Sequence, residues 1–376
     1  MSITGIICEY NPLHLGHRKQ LDFLKTQGQD IVCLMSGSFV QRGAPAIVDK
    51  MARAEAAVRC GADLVLELPV TAALSSAEGF AAEGVRFLSG FCDALCFGAE
   101  TADKDQLLSL ASALLSPEFP EHLRSELDKG LSFPVARTAA LAAMGLDAAP
   151  LSTPNNILAV EYCKAILAQN SAMEPLPILR QGSYHDTLPD AENPSATALR
   201  AMMPHGNWQD YVPEDARRVL SDAAIHTLAA GERAILCKLR TMTDAEFETL
   251  PYGSEGLWRK LMHASRREST LEDIASAVKS KRYTRTRIDR MILCAFLGIT
   301  AADIATPAPY ARVLAFNDRG REILKTARQT FDLPNIGEKQ GHPYQLIENR
   351  CDALYGLFAT DQIESPTPKY RVRYLP

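Results

Sequence analysis

The chain has 376 residues, of which 47% are apolar and 23% charged, and its formal net charge at pH 7 is −5. This composition is typical of a globular protein with room for two domains, and it excludes a chain that coats nucleic acid through its whole surface. The nine cysteines include no CxxC pair, so we expect reduced thiols in a cytoplasmic protein with no membrane partner.

Short apolar runs alternate with helix-length amphipathic stretches in the first third of the chain. The apolar runs predict strands at residues 3–8, 30–35, 63–68 and 93–97. The amphipathic stretches predict helices at residues 14–26, at 50–60 and near 76–89. Continuous apolar strands separated by helices are typical of a parallel sheet covered on both faces. The pattern therefore predicts an α/β fold with a Rossmann-like, doubly wound parallel sheet.

The rest of the chain is richer in helical patterns. Residues 105–145 are helical throughout, and capped helices begin in "STPNN" and "SATALRAMM", on either side of a fifth strand at 175–179. Beyond this point strand patterns nearly vanish, and residues 216–299 predict a series of helices. We therefore expect two domains, residues 1–210 around the sheet and residues 211–376 mainly helical.

The segment "NPLHLGH" directly follows the first predicted strand. Ligands of an open α/β sheet bind beyond the carboxyl ends of its strands, where this loop lies. His14 and His17 project to the same side of the first helical turn, and Gly16 lets a ligand approach the backbone. Imidazole N–H groups at a helix N-terminus suit a phosphate that gains charge in a transition state. The alternative is a pair of half-buried histidines that cap a helix.

Two motifs carry a resemblance to known proteins. "HLGH" resembles the HxGH motif of the nucleotidyltransferase superfamily, and "SATALR" is similar to that superfamily's Ser/Thr-rich turn, with Ala196 at a small polar position. Leu13 and Leu15 stand where we associate Phe and Asn with the bacterial tRNA(Met) cytidine acetate ligase family. The stretches that resemble this family, in the same order, are "IICEYNPLHLGH", "MSGSFVQRGAPAIVDK", "DLVLELP", "CFGAE", "PNNILAVEY", "YHD", "SATALR" and "SKRYTRTRIDR".

The resemblance implies an ATP-dependent ligase. ATP and acetate would give acetyl-adenylate and pyrophosphate, and the acetyl group would pass to the wobble cytidine of elongator tRNA(Met), giving N(4)-acetylcytidine. His14 and His17 would be catalytic, and Mg²⁺ would accompany the triphosphate. The ATP contacts implied are Ile7, Cys8, Glu9, Tyr10, Asn11, Pro12, Leu13, Gly16, Gln20, Gly98, Asn155, Asn156, Arg180, Ser195, Thr197 and Arg200.

Several of these candidates have a structural alternative. Residues 36–50 predict a long loop at the same sheet edge, and such loops are usually functional. Arg42 and Lys50 in this loop are candidates to bind acetate or a phosphate, and a solvated loop with a local ion pair is the alternative. Either Asn155 or Asn156 would hydrogen-bond the adenosine while the other caps its helix. His185 and Asp186 would contact the ATP-binding residues rather than ATP itself.

The basic residues of the chain concentrate between residues 257 and 290. Ten lysines and arginines face four acids there, a net charge of +6 in a chain of −5. A local patch against an acidic background indicates an RNA footprint, with arginines on phosphates and an aromatic ring on an unpaired base. A solvated helix face is the alternative. The residues predicted to bind tRNA are Lys281, Arg282, Tyr283, Arg285 and Arg287.

Two other functions are compatible with parts of this pattern. A metabolic adenylyltransferase acting on a small phosphorylated acceptor would use the same histidines, but it would have no use for a basic helical domain. A non-enzymatic RNA-binding protein would need neither both histidines nor Arg200. The combination favours the ligase, with tRNA rather than DNA as its nucleic acid.

Overall fold

The structure, a computed structural model, describes residues 2–180 and 194–376, and nine strands lie within them. The strands are β1 Ile3–Cys8, β2 Asp30–Ser36, β3 Phe39–Val40, β4 Ala44–Pro45, β5 Leu64–Leu68, β6 Ala94–Ala99, β7 Glu174–Leu179, β8 Arg312–Phe316 and β9 Arg373–Tyr374. Seven of them form one sheet in the order β7-β6-β1-β2-β5-β8-β9, and β3 and β4 form a small antiparallel pair.

Five neighbouring strands, β7, β6, β1, β2 and β5, are parallel, which confirms the predicted sheet. The chain runs from β1 outward through β2 to β5, and then returns to β6 and β7 on the other side of β1. Strand order therefore reverses between β1 and β6, which opens a crevice at the carboxyl ends of these two strands. The loop after β1 leaves the sheet at that crevice.

Helices cover both faces of the sheet and build the remainder of the chain. The helices before residue 181 are α1 Leu15–Thr26, α2 Lys50–Arg59, α3 Val70–Ala73, α4 Ala77–Leu88, α5 Lys104–Leu115, α6 Phe119–Asp128, α7 Phe133–Ala143 and α8 Pro154–Ala168. The later helices are α9 Ala196–Met202, α10 Glu214–Ser221, α11 Leu228–Thr241, α12 Asp244–Glu248, α13 Leu257–Ser265, α14 Leu271–Val278, α15 Arg285–Leu297, α16 Ala301–Ala305, α17 Asp318–Ala327 and α18 Tyr344–Tyr355. Every helix of the described chain falls short of the length and apolarity that a membrane crossing requires.

The alternation of side chains along each strand builds two cores, one on each face of the sheet. Ile7 and its neighbours on one face pack with α4, α5 and α8. Ile6 and its neighbours on the other face pack with α1, α2 and α10. A third apolar cluster lies among α11–α15 and takes in Phe39 and Leu74, so the helical part packs directly against the loop after β2.

The region predicted to be mainly helical, residues 211–376, contains two strands beyond residue 300. Strand β8 pairs antiparallel with β5, and β9 pairs parallel with β8, so residues beyond 300 extend the sheet. The run "RVLAF" that forms β8 is only five residues long. Periodicity cannot distinguish such a short apolar run from part of a buried helix, which is why the strand was missed.

A buried ion cluster joins β5, α2, β8 and α18. Lys50 Nζ lies 2.9 Å from Glu67 Oε1 and 2.6 Å from Asp352 Oδ1. Arg312 Nη2 lies 2.9 Å from Glu67 Oε2 and 3.2 Å from Asp352 Oδ2, and Arg312 Nε lies 3.4 Å from Glu348 Oε1. All five side chains are buried. The cluster therefore ties the helix after the long loop to Asp352, 302 positions farther along the chain than Lys50.

Burial and neighbouring charge shift the pKa values in this cluster in opposite directions. Burial is the larger cause at Glu348 and raises the pKa of its carboxyl to about 7. Burial alone would also raise the pKa of Asp352, but Lys50 and Arg312 together hold it below its ordinary value. Two cations and two carboxylates thus compensate each other, while the third carboxyl, Glu348, is about half protonated near pH 7.

Candidate active site

His14 and His17 form a reciprocal cap at the start of α1. The ring Nδ1 of His14 accepts a hydrogen bond from the Gly16 N–H at 3.1 Å, and the ring Nδ1 of His17 accepts one from the His14 N–H at 3.3 Å. Because backbone N–H groups can only donate, both Nδ1 atoms are acceptors. In a neutral imidazole the proton then lies on Nε2. The backbone therefore fixes both rings as Nε2–H donors.

The two rings are stacked, with centroids 3.7 Å apart and planes inclined by 26°. Tyr10 packs its ring edge against His17, 5.0 Å between centroids. The Nε2 atom of His14 is buried and has no hydrogen-bond partner in the described structure. A buried donor without a partner costs free energy, so this atom marks a position where a ligand acceptor belongs.

Gly16 has a packing role beside the predicted one. A Cβ atom at residue 16 would lie 3.0 Å from Cε1 and 3.2 Å from Nδ1 of the His14 ring. The glycine therefore makes room for the imidazole that caps its N–H.

The electrostatic surroundings keep both histidines neutral. Burial is the largest cause at His14 and lowers its pKa to about 3, with Arg180 and Arg200 adding to the effect. Burial also lowers the pKa of His17 well below its ordinary value, helped by His14 and Arg180. The pocket thus combines two neutral donors with two arginines, an arrangement that suits a polyanion.

Arg200 links the two motifs. Its Nη1 donates to the Asn11 carbonyl oxygen at 2.8 Å, and its Nη2 donates to Thr197 Oγ1 at 3.0 Å. Ser195 caps α9 by accepting from the Ala198 N–H at 3.1 Å and is buried. The helix that begins at the second motif therefore aims its arginine at the loop of the first motif, as a triphosphate contact would require.

The other side of the crevice carries the predicted adenosine contacts. Gly98 at the end of β6 is exposed, and a Cβ there would meet nothing within 4 Å. Asn156 is 1% exposed, and both ends of its side-chain amide bond to Thr101. Asn155 is only half-buried, and its Oδ1 accepts from Arg180 Nη1 at 3.3 Å. The structure thus separates the two asparagines, leaving Asn155 as the candidate contact and Asn156 as a structural residue.

Known proteins match this chain along most of its length. Residues 1–367 match the family model described as HIGH Nucleotidyl Transferase. A Clostridium novyi protein named tRNA(Met) cytidine acetate ligase is 39% identical over 356 residues, 89% of each chain. The chain belongs to the tRNA(Met) cytidine acetate ligase family. Two structures of Thermotoga maritima TmcAL, 30% identical, cover 100% of both chains, with TM-scores of 0.91 for an apo form and 0.87 for a form bound with alpha-thio ATP.

The remaining ATP contacts predicted for this chain differ in where their side chains lie. Ile7 and Leu13 are buried in the apolar cores, so only their backbone is available to a nucleotide. Gln20 donates from Nε2 to Cys96 Sγ at 3.2 Å, which fixes its side chain beside the sheet. Those that stand around the histidine loop itself are Cys8, Glu9, Tyr10, Asn11 and Pro12. His185 and Asp186 lie outside the described residues.

One of the two anion ligands predicted in the long loop after β2 remains a candidate. Burial is the largest cause of the lowered pKa of the Arg200 guanidinium; Glu9 opposes it, and Arg42 lies close enough to lower it further. Lys50 is fully buried and bonded to two carboxylates of the ion cluster. The structure therefore contradicts a role for Lys50 in binding acetate or phosphate. The loop is also not solvated, since Phe39, Val40 and residues 46–48 are buried.

Two polar residues at this edge were missed by sequence reasoning. Glu100 accepts from Asn155 Nδ2 at 2.6 Å and from the Asn156 N–H at 2.8 Å, so it orients the start of α8. Arg53 is fully buried, and its guanidinium donates to the carbonyl oxygens of Glu9, Ser36, Gly37 and Val48. It holds the ends of β1 and β2 together. The only sequence signal for Glu100 is its place at the end of the family-like stretch "CFGAE". Arg53 has no such signal, because a buried arginine within a helix looks like any other helical arginine in the sequence.

The basic stretch is folded differently from its prediction. Tyr283 is 4% exposed and packs in the helical cluster, so its ring is not available to stack on a base. Arg282 bonds to Glu255 at 2.6 Å, and Arg285 bonds to Glu272 and Asp289 at 2.7 and 2.8 Å. Arg287 donates to the Tyr252 carbonyl and Ser254, whereas Lys281 is exposed. The aromatic prediction is wrong because the ring completes the core between α13 and α15.

The lowered pKa values make stability depend on pH in a definite direction. Between pH 6.5 and about 3, an unfolded histidine binds a proton that folded His14 does not. The unfolded state then binds more protons, so the free energy of unfolding falls as the pH is lowered through this window. We expect urea unfolding at pH 7.5 and pH 5 to show a smaller loss for His14→Asn than for the wild type. An equal loss in both proteins would contradict the burial of a neutral ring.

Proposed function

We propose that this chain is an ATP-dependent ligase that activates acetate as acetyl-adenylate and acetylates the wobble cytidine of elongator tRNA(Met). The observation that carries the proposal is the pair of stacked, neutral imidazoles whose Nε2 atoms are both donors. The names of its relatives support the overall reaction. The tRNA substrate implies a cytoplasmic enzyme.

In the first step an acetate oxygen attacks the α-phosphorus of ATP, and the bond to the bridging oxygen of pyrophosphate breaks. No proton is transferred, so the step needs no general base. His14 and His17 donate to non-bridging oxygens of the α-phosphate as their charge grows, while Arg180 and Arg200 hold the triphosphate. Catalysis depends on positioning and electrostatics, for which fixed tautomers are well suited.

In the second step the N4 amine of the cytidine attacks the acetyl carbonyl carbon. The C–O bond to AMP breaks, AMP keeps the electron pair, and the amine releases one proton to solvent. The acyl-adenylate is already activated, so no nucleophilic side chain is required. The neutral histidines do not take part as bases, because burial opposes their protonation.

We propose that Mg²⁺ binds together with ATP. The described residues contain no group of three metal-ligating side chains. Glu9 is a carboxylate at the pocket, and its Oε1 accepts the Gln41 N–H at 2.7 Å. Mg²⁺ is held in nucleotide sites largely by phosphates and waters, so this donor set fits an ion that arrives on the triphosphate. When bound there it would neutralise charge on the departing pyrophosphate.

We assign tRNA binding to the basic helical region within the predicted domain of residues 211–376, and ATP binding to the predicted domain of residues 1–210. The stretch 257–290 carries the excess of positive charge in an acidic chain. The exposed Lys281 is a candidate phosphate contact, as are Arg282, Arg285 and Arg287 if their ion pairs exchange for phosphates. Arg42 is the candidate acetate contact.

Pyrophosphate release from ATP tests this proposal directly. We expect release to require acetate in the absence of tRNA, and nucleoside analysis of elongator tRNA(Met) after complete reaction to show N(4)-acetylcytidine. Selectivity against one extra methylene should be modest, about 10–200-fold. Release driven by a phosphorylated small molecule and indifferent to acetate would favour the metabolic adenylyltransferase. Absence of release with every acceptor, in folded protein, would favour the RNA-binding protein.

A further inference from the structure

Helix α13 has one buried and one cationic side. Leu257, Leu261 and Ala264 pack into the helical cluster. The residues exposed on the opposite side and just beyond the helix end are Arg259, Lys260, His263, Arg266 and Arg267. Their spacing of i, i+1, i+4, i+7 and i+8 places them within about a third of the helix circumference. The helix therefore presents a continuous basic face to the surroundings.

Most of the charge on this face is not compensated. Arg266 bonds to Asp244 at 2.6 Å. Arg259, Lys260 and Arg267, which we call the α13 strip, form no ion pair with a residue in the described part of the chain. Arg259 stacks over the Trp258 ring at 4.8 Å, a contact that keeps its positive charge. The strip thus contains three exposed cations without a carboxylate partner.

The arginines of the following segment are different. Arg282 and Arg285 bond to carboxylates, and Arg287 bonds to the Tyr252 carbonyl oxygen at 2.7 Å. Such groups must give up existing partners before they can bind a phosphate. Their bonds to Glu255, Glu272 and Tyr252 connect α15 with the segments around α13 and α14. Their first role is therefore to hold these helices together.

We propose that the α13 strip binds backbone phosphates of the tRNA, and that Arg282, Arg285 and Arg287 chiefly maintain the helical fold. The inference deepens the proposed function and rests on it, because it takes tRNA as the ligand. RNA phosphates match the strip in charge, and loss of condensed counterions makes each contact favourable at low salt. No base recognition is required of these three residues.

A series of side-chain contacts connects the α13 strip with the sheet. Lys260 Nζ lies 5.6 Å from the centre of the Tyr283 ring, and Arg287 Cζ lies 5.2 Å from the same centre. Arg287 in turn holds the Tyr252 backbone. The Tyr252 hydroxyl donates to the Leu74 carbonyl oxygen at 2.8 Å, which reaches the connection after β5.

The same series ends at the histidine loop. Arg290 lies with its Cζ 5.1 Å from the Tyr252 ring centre and donates from Nη1 to the Gln41 carbonyl oxygen at 3.3 Å. The Gln41 N–H donates to Glu9 Oε1 at 2.7 Å. A continuous series of packed contacts therefore links the α13 strip to the carboxyl edge of the sheet.

Binding of an elongator tRNA(Met) transcript to the full chain, measured by anisotropy over a series of salt concentrations, tests the inference. The strip variant is Arg259→Gln, Lys260→Gln and Arg267→Gln together. We expect it to lower the slope of log K against log salt by about 2, since each phosphate contact contributes about 0.7–0.9. We expect affinity near 0.15 M salt to fall by about tenfold or more. Acetate-dependent pyrophosphate release should stay near the wild-type rate.

Two matched triple variants provide the comparison. Arg282→Gln, Arg285→Gln and Arg287→Gln should lower the urea midpoint and change the salt slope less than the strip variant does. Lys129→Gln, Arg321→Gln and Lys325→Gln, exposed cations on other helices, should change neither. A strip variant with the wild-type slope, or a larger slope change in the 282–287 variant, overturns the inference. If the wild type neither binds this tRNA nor releases pyrophosphate with acetate, the proposed function fails as well.

Discussion

Replacing His14 or His17 with alanine is expected to slow acetate-dependent pyrophosphate release by about 10²–10³-fold, the effect of losing one fixed donor at a developing charge. The affinity for ATP should change less than the rate, because the donors matter most in the transition state. Single-turnover measurement of pyrophosphate release with saturating ATP and acetate gives the rate. Equilibrium binding of ATP gives the affinity.

His14 also caps α1, so a second variant separates catalysis from capping. The Oδ1 of an asparagine can accept the Gly16 N–H, but its short side chain cannot donate from the position of Nε2. We expect His14→Asn to keep the wild-type urea midpoint at pH 7.5 and still lose the rate. His205→Ala, at an exposed histidine, serves as the control and should keep both. A folded His14→Asn, His17→Asn double variant with the wild-type rate would refute the mechanism.

Replacing Lys50 with methionine is expected to lower the free energy of unfolding by about 3–5 kcal/mol, because it removes one of the two cations that compensate the buried carboxylates Glu67 and Asp352. Urea unfolding at pH 7.5 measures the effect. Lys104→Met removes an exposed lysine paired with Glu174 and should leave the midpoint nearly unchanged. If Lys50→Met were as stable as the wild type but unable to use acetate, Lys50 would be a substrate ligand after all.

The sequence was sufficient to predict the first parallel strands and the helices between them, because each element is long and has a clear period. It placed the histidine motif at the crevice for the same reason, since the loop after the first strand of such a sheet has one location. β8 was missed because it is a short strand inside a helical region. Its partner, β5, lies far away in sequence, and a single chain contains no signal for such a pairing.

Residue roles were less predictable than positions. Asn155 and Asn156 are adjacent, and only the hydrogen bonds of Thr101 show which of them is committed to the fold. Lys50 and Tyr283 looked like ligand-binding residues because of their neighbours in sequence. Their burial depends on residues brought in by tertiary packing, so composition gave no indication of it. Arg53 was hidden within an ordinary helix, although it bonds four carbonyl oxygens at the catalytic edge.

The long-range pairing of β5 with β8 has a consequence for synthesis on the ribosome. Until β8 (Arg312–Phe316) has left the exit tunnel, β5 is an unprotected edge strand and Glu67 lacks Arg312 as a partner. Lys50 lacks Asp352 as a partner until residue 352 has followed. Contacts across such a separation form slowly, and exposed strand edges in incomplete chains are prone to aggregate. A chain that stops near residue 300 would therefore contain every candidate catalytic residue discussed above and still be a substrate for chaperones or proteases.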